Sequence, residues 1–452
     1  MKKNIFIFSI ILIILISFNS HKIIDQIYAQ KKLISMYQNK LPEKYQVIIR
    51  ETLAFYNHKM KKKMVFENTL FNDEITSNKK NKYLLSIYTN NMIKKKRHGS
   101  YLEIYDDNLF LITRTGIIAF TNSNFSNKKD LHLEIIRTNL NDLLGWSYIA
   151  KWPILIWDLL ILNDKIYISY LNEIKKECYN TSVFVADLNY KKIIFKELFT
   201  PDQCVKRYNS YKKFDPIQAG GAMSSFSDNN ILLAIGEFKF RDLTQDPKSI
   251  FGKIIKINVN TGEYKIISMG HRNQQGLYYD KSDNIIYSTE HGPYGGGEIN
   301  INLSPSGEVE NYGWPVSSYG EHYARKEDNP IEHKMEYERA PLYKSHKDYG
   351  FVEPLKYFVP SVGPSAISII PSNFNNVDEK QISMVSLGHS DVGGRRAIHF
   401  FSLNNDFTIK TKTYDIVHLK KRIRDMVYAD KLNKIFLFMD YSGAIAVLDR
   451  KK

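Results

Sequence analysis

Three short segments concentrate the residue types that hold a planar anion. The first is Gly270-His271-Arg272-Asn273-Gln274-Gln275-Gly276. The second runs Glu290-His291-Gly292-Pro293-Tyr294-Gly295-Gly296-Gly297-Glu298-Ile299-Asn300, with Asn311-Tyr312-Gly313-Trp314-Pro315 after it. The third is Arg422-Ile423-Arg424-Asp425. A guanidinium is planar, permanently charged and donates as a fork, so it grips carboxylates and phosphates at two points. On a strand, positions 422 and 424 project to one side. Asn273 and Gln275 add amide donors and acceptors. Gly292-Pro293 presents backbone carbonyls on a turn, and with Glu298 makes an oxygen-rich site suited to Ca²⁺. Gly295 to Gly297 let the backbone approach a flat ligand. Each segment alone has a plainer reading, as a surface ion pair, a flexible turn or a loop. Together they suit a planar polyanion held partly through a hard cation.

The elements that must position these segments follow from a recurring pattern. A polar turn precedes an apolar strand at Asp106-Asp107-Asn108, Asn163-Asp164-Lys165 and Ser227 to Asn230. It returns at Ser282-Asp283-Asn284, Glu379-Lys380-Gln381 and Lys431 to Lys434. A second strand often follows, as in residues 253–267 and 443–449. Units of this size imply radial repetition of small antiparallel sheets. The expected fold is all-β, a six-bladed β-propeller over residues 81–452, with a pair of β-sandwiches as the alternative. The longest interval holds residues 310–355, rich in Gly, Pro, Tyr and His, which reads as a functional loop bordering the channel and setting the substrate.

Composition agrees with a large globular body. The chain has 452 residues, 43% hydrophobic and 13% aromatic, with 30 Tyr and 25 Phe. That aromatic load suits β-structure. It excludes collagen-like, coiled-coil and wholly disordered chains, and polytopic membrane proteins. The formal charge of +15 comes from lysine spread along the chain, with no nucleic-acid-binding motif beside Lys61 to Lys63 or Lys94 to Arg97. Solvated charge is the reading, not nucleic-acid binding.

Lys2-Lys3 and the uncharged residues 5–18 form a secretory leader, short of the roughly 20 apolar residues of a full span. Residues 1–21 are therefore a signal peptide or an uncleaved signal anchor, with membrane attachment through residues 5–18 in the latter case. The body is expected in the periplasm or elsewhere outside the cytoplasm. Residues 22–80 read as a short helical segment followed by a polar linker from residue 64. Outside the cytoplasm, the two cysteines, Cys178 and Cys204, are expected to form a disulfide. Two separate buried thiols are the alternative.

GHRNQQGLYYD, followed by STEHGPYGGGEININL and NYGWP, resembles the soluble pyrroloquinoline quinone (PQQ)-dependent glucose and aldose sugar dehydrogenases, the glucose/sorbosone dehydrogenase family. The likeness is clearest over residues 215–449, and the family fold is a six-bladed propeller. The resemblance implies that Arg272 and Asn273 contact quinone and substrate. It implies that the carbonyls of Gly292 and Pro293 bind the calcium that polarises PQQ, and that Arg422 and Arg424 bind the PQQ carboxylates. Glu298 would contribute to a structural calcium, although Gly297 stands where the family often has Asp.

The main departure is at the base. Gln218 occupies the position of the family's catalytic histidine, and an amide cannot act as a general base. A lysine of the fifth unit is also missing. The matching strand ends in Leu387-Gly388-His389-Ser390, which leaves His389 as a ligand contact. The implied activity is PQQ- and Ca²⁺-dependent oxidation of a sugar or related alcohol, by hydride transfer to the quinone, with an external electron acceptor. His271, His291 and His389, near the motifs in sequence, are the candidate substitute bases. The alternative is a non-catalytic propeller that binds an anionic or carbohydrate ligand or an envelope partner. A calcium-dependent lactonase is a third reading, disfavoured by the basic channel.

Overall fold

The computed structural model describes residues 62–451, apart from 91–98, 128–129, 146–147, 149–154, 209–213, 324–325, 392 and 411–413. The leader and the expected helices of residues 22–61 lie outside the described residues. The rest is mostly β-structure, in one ten-stranded, two five-stranded and two four-stranded sheets, mainly antiparallel, with a channel between them.

Six strands line that channel: Ser100–Tyr105, Ile156–Leu162, Gly220–Ser227, Gln274–Asp280, Pro364–Ile370 and Ile423–Ala429. Each contacts the next, and the last contacts the first, so the cycle closes. Each begins a hairpin with its successor in the chain, across the polar segments marked by the sequence pattern. Side chains stitch neighbouring strands of the cycle. Asp425 Oδ2 accepts from Leu102 N–H at 2.6 Å, and Asp158 Oδ2 from Met223 N–H at 2.6 Å. Ser224 Oγ accepts from Tyr279 N–H at 3.0 Å. Apolar faces pack between adjacent sheets, as with Trp157, Tyr167, Leu233 and Ile255.

Lys63–Thr76 is a β-strand where the end of the helical segment and, from residue 64, a linker were expected, so the β-structure begins before residue 81. Met64 and Phe66 are buried and alternate with exposed Lys63, Val65 and Glu67, which a count of polar residues alone conceals. The first half of this strand pairs with Asp130–Thr138 and the second half with Lys82–Thr89. Lys82–Thr89 in turn pairs with the C-terminal strand Ala444–Arg450. The two ends of the described chain therefore share one sheet, and the Lys63–Thr76 strand ties the last unit to the first.

The expected long loop is present. It leaves strand Gly297–Asn302, adds Glu310–Asn311 to the edge of the preceding sheet, forms helix Pro330–Arg339 and returns at strand Lys356–Phe358. Cys178 and Cys204 form a disulfide, with Cα atoms 5.3 Å apart.

Candidate functional site

Arg272 sits in the loop that carries the chain from strand Tyr264–Met269 into the inner strand Gln274–Asp280. Gly270 makes the turn possible. Its φ is +73°, and a Cβ there would stand 2.1 Å from Asn311 Oδ1. The main chain of Arg272 is pinned on both sides, its N–H to Glu290 Oε1 (3.3 Å) and its carbonyl by Glu237 N–H (2.9 Å). Its Nη1 donates to the carbonyls of His291 (2.6 Å) and Gly292 (3.1 Å). Glu237 Oε1 lies 3.6 Å from its Nε, and the guanidinium stacks 5.4 Å from the Trp314 ring. Trp314 Nε1 donates to Glu237 Oε2 at 2.6 Å. Burial pushes the Glu237 carboxyl upward, against the pull of Arg272 and Arg241.

Asn273 and Arg424 are joined through Gln275. Gln275 Nε2 donates to Asn273 Oδ1 at 3.0 Å, and Arg424 Nη1 donates to Gln275 Oε1 at 2.8 Å. Asn273 Oδ1 also accepts from Gly220 N–H at 3.2 Å. One chain of hydrogen bonds thus crosses three units of the cycle. Arg422 donates to Leu387 O and stacks 4.7 Å from the Tyr441 ring. Asp440, fully buried, lies 3.6 Å from Arg422 and 3.7 Å from Arg424.

Gln218 ends a short 3₁₀ helix, Pro216–Gln218, capped by Asp215. It is 7% exposed, and its Oε1 is buried without a hydrogen-bond partner. His291 Nε2 is also buried and unpartnered. Burial and then the guanidiniums of Arg424, Arg272 and Arg422 hold its imidazole down at about 3, so it is neutral. His271 is sealed, with Ser268 on one nitrogen (2.8 Å) and Glu290 on the other (3.0 Å). His389 is exposed, and its carbonyl accepts from Arg396 Nη2 at 2.7 Å.

The Gly292-Pro293 turn is tight, since a Cβ on Gly292 would stand 1.6 Å from Gly296 O. Pro293 O accepts from Gly296 N–H at 3.1 Å. Glu298 faces His346, Nε2 to Oε1 at 3.5 Å. Burial raises the Glu298 carboxyl, while Glu298 lifts the His346 imidazole despite its burial. Among the described residues, no three His, Cys, Asp or Glu cluster to hold a metal. Glu237 and Asp440 are the site residues that sequence reasoning missed. Each is an acidic residue directly after an apolar strand ending, at Ile235-Gly236 and Phe438-Met439.

The model of the glucose/sorbosone dehydrogenase family matches residues 161–447. An uncharacterized protein of Synechocystis is 30% identical over 230 residues, 46% of this chain and 50% of that protein. Aldose sugar dehydrogenase YliI of Escherichia coli is 32% identical over 119 residues, 23% of this chain and 31% of that protein. The match thus spans half or less of these relatives' lengths. Among solved structures, the soluble aldose sugar dehydrogenase of E. coli in its apo form superposes with a TM-score of 0.57 at 18% identity, covering 81% of this chain and 100% of that one. The PQQ-bound aldose sugar dehydrogenase of Streptomyces coelicolor gives 0.53 at 15% identity, covering 79% and 96%. These likenesses show a shared fold.

Proposed function

The chain belongs to the glucose/sorbosone dehydrogenase family, and from that premise we propose that it oxidises a sugar or related alcohol with PQQ as acceptor. The observation that carries this reading is the convergence of Arg272, Asn273, Gln275 and Arg424 at one end of the channel. We read the closed cycle of inner strands as the six blades of a propeller beginning at residue 63. The disulfide supports a location outside the cytoplasm.

The residues fit a planar polyanion. Three guanidiniums meet two buried carboxylates, Glu237 and Asp440, so positive charge is left over. The Nε atoms of Arg272 and Arg424 are buried without hydrogen-bond partners. The turn presents carbonyl oxygens, of which Gly292 O accepts from Arg272 Nη1 at 3.1 Å and Pro293 O from Gly296 N–H at 3.1 Å. Calcium would be held by the carbonyls of Gly292 and Pro293, with no acidic cluster required. When bound, the quinone supplies a two-electron acceptor and calcium polarises it.

The chain's own residues have distinct tasks. Arg422 and Arg424 bind carboxylates and set the ligand's orientation. Arg272 offers a fixed positive charge where negative charge develops. Two carbonyls and the Trp314 ring hold it in place, so it needs no reorganisation. Gln218 can orient a substrate hydroxyl through Oε1 but cannot take its proton. Of the three candidate bases, His291 has a buried, unpartnered nitrogen near the arginines, but the burial and positive charge that hold it down at about 3 make it a poor proton acceptor.

Gln218 also favours a second reading, a propeller that binds the ligand without turnover. Titration of the full-length protein with PQQ, with and without Ca²⁺, tests the cofactor site. Aldose oxidation with an artificial electron acceptor then separates enzyme from binder. Absence of PQQ binding rejects the cofactor reading.

A further inference from the structure

Glu298 is the carboxylate at which the family resemblance implies a structural calcium. Calcium gathers roughly six to eight oxygens, from carboxylates, carbonyls and waters. Around Glu298 the oxygens turn to a side chain instead. His346, on the returning arm of the 310–355 insertion, is 1% exposed. Its Nδ1 donates to Tyr312 O at 2.9 Å, since a carbonyl can only accept. Ser317 Oγ lies 2.9 Å from the same nitrogen. On the other edge of the ring, Nε2 faces Glu298 Oε1 at 3.5 Å, within ion-pair reach. One imidazole therefore spans a carboxylate and a main-chain carbonyl, two oxygen types that a calcium at this place would take.

The ring is fixed there by its surroundings. Glu353 Oε1 accepts from the His346 and Lys347 N–H groups, at 2.9 Å each. Glu353 Oε2 accepts from the Tyr319 hydroxyl at 2.8 Å, and the Tyr319 ring centre lies 5.4 Å from that of the imidazole. Gly313 admits the ring, because a Cβ there would stand 2.9 Å from His346 Nδ1.

A second carboxylate has no way in. Glu290 pairs with Glu298 across two strands, but its oxygens are engaged by His271 Nδ1 at 3.0 Å and Arg272 N–H at 3.3 Å. Residue 297, where the family often has Asp, has no room for a side chain. A Cβ on Gly297 would stand 2.6 Å from Ser361 Oγ and 2.7 Å from Pro364 Cδ, and the proline ring cannot turn aside. This donor set does not fit a structural calcium.

We infer that the chain holds no calcium at Glu298, and that the His346 imidazole stands in the ion's place and ties the insertion to the 292–298 turn. The inference goes beyond the cofactor reading and does not depend on it. The test uses full-length protein free of PQQ, as wild type, Glu298→Gln and His346→Leu. Metal analysis after dialysis against Ca²⁺ gives calcium per chain, and Tm is compared in Ca²⁺ and in chelator. Wild type and Glu298→Gln should carry the same calcium per chain, and chelator should change their Tm values alike. His346→Leu should lose several degrees of Tm, because it leaves a carboxylate and a carbonyl buried without their partner. One calcium more in wild type than in Glu298→Gln overturns the inference. So does a chelator-induced fall in Tm that Glu298→Gln abolishes, or a His346→Leu protein as stable as wild type. Should Glu298→Gln fail to fold, calcium retained by the PQQ-free wild type through gel filtration overturns it, and calcium lost there supports it. Failure of PQQ to bind would reject the cofactor reading and leave this inference standing.

Discussion

The carboxylate of Asp440 stands 3.7 Å from the Arg424 guanidinium, sealed from solvent and without a hydrogen bond on either oxygen. It stands equally close, 3.6 Å, to Arg422. One buried negative charge therefore keeps two positive charges side by side. Asp440→Asn leaves the guanidiniums without that compensation, which costs roughly 3–5 kcal/mol when a buried pair is broken. Chemical denaturation should show the loss. PQQ affinity should also fall, as the arginines move apart. A variant that loses stability yet binds PQQ normally would limit Asp440 to a structural role.

Arg424 itself is the sharper test of the anion site. It donates to Gln275 and thereby joins the sixth unit to Asn273 in the fourth. Arg424→Ala should weaken PQQ binding by about 1.5–3 kcal/mol, as for a charge-assisted hydrogen bond. Calorimetric titration checks this, and an unchanged affinity rejects the assignment.

Gln218→His restores an imidazole at the position where the family places its base. If the base is the missing part, turnover of aldoses should rise, by up to about 10²–10⁴-fold for a well-placed group. Steady-state assays with an artificial acceptor would show it. Background activity in a variant that still binds PQQ would mean that the base is not the sole defect.

Much of this site was legible because its parts are local. Gly270 to Gly276 and Arg422 to Arg424 are contiguous, and each segment's turn or strand projects its own side chains. The paired turns of the inner hairpins also recur visibly. What was hidden is non-local. Glu237 and Asp440 read as ordinary acidic residues at strand ends, and their meaning comes from guanidiniums about 35 and 16–18 positions away. Strand Lys63–Thr76 was hidden for a related reason. Its partners are Lys82–Thr89 and Asp130–Thr138, and most of its residues after Phe66 are exposed, so the buried alternation is confined to its start. His389 lies in an irregular loop, where neither period 2 nor period 3.6 says which side chain folds inward.

The disulfide closes a segment with a sequence separation of 26 and ties strand Cys178–Asp187 to the stretch before Val205–Lys206. Cys178→Ser should cost about 2–4 kcal/mol of stability by freeing that loop in the unfolded chain. Reduction of wild type should reproduce the loss, and reduction of the variant should add nothing. Identical stability of oxidised and reduced wild type would refute a stabilising role.

The channel supplies a pH dependence of its own. Glu103, Asp158 and Asp425 face a cavity of about 570 Å³. Burial pushes Glu103 up to about 8 and Asp425 up to about 7, and raises Asp158 well above the ordinary range, with Asp425 adding to that shift. All three bind their protons more tightly folded than unfolded. Their contribution to stability is complete below about pH 4, the unfolded value, and is lost as pH climbs toward 8. Asp158 and Asp425 also stitch neighbouring strands, so replacing them would confound charge with hydrogen bonding. Glu103 accepts from Ile104 N–H in its own strand at 3.0 Å, and Gln retains an acceptor there. Glu103→Gln should therefore flatten the decline of Tm between pH 4.5 and 8 and leave the variant more stable than wild type at the upper end. Parallel Tm curves for the two proteins would show that Glu103 does not titrate in this window.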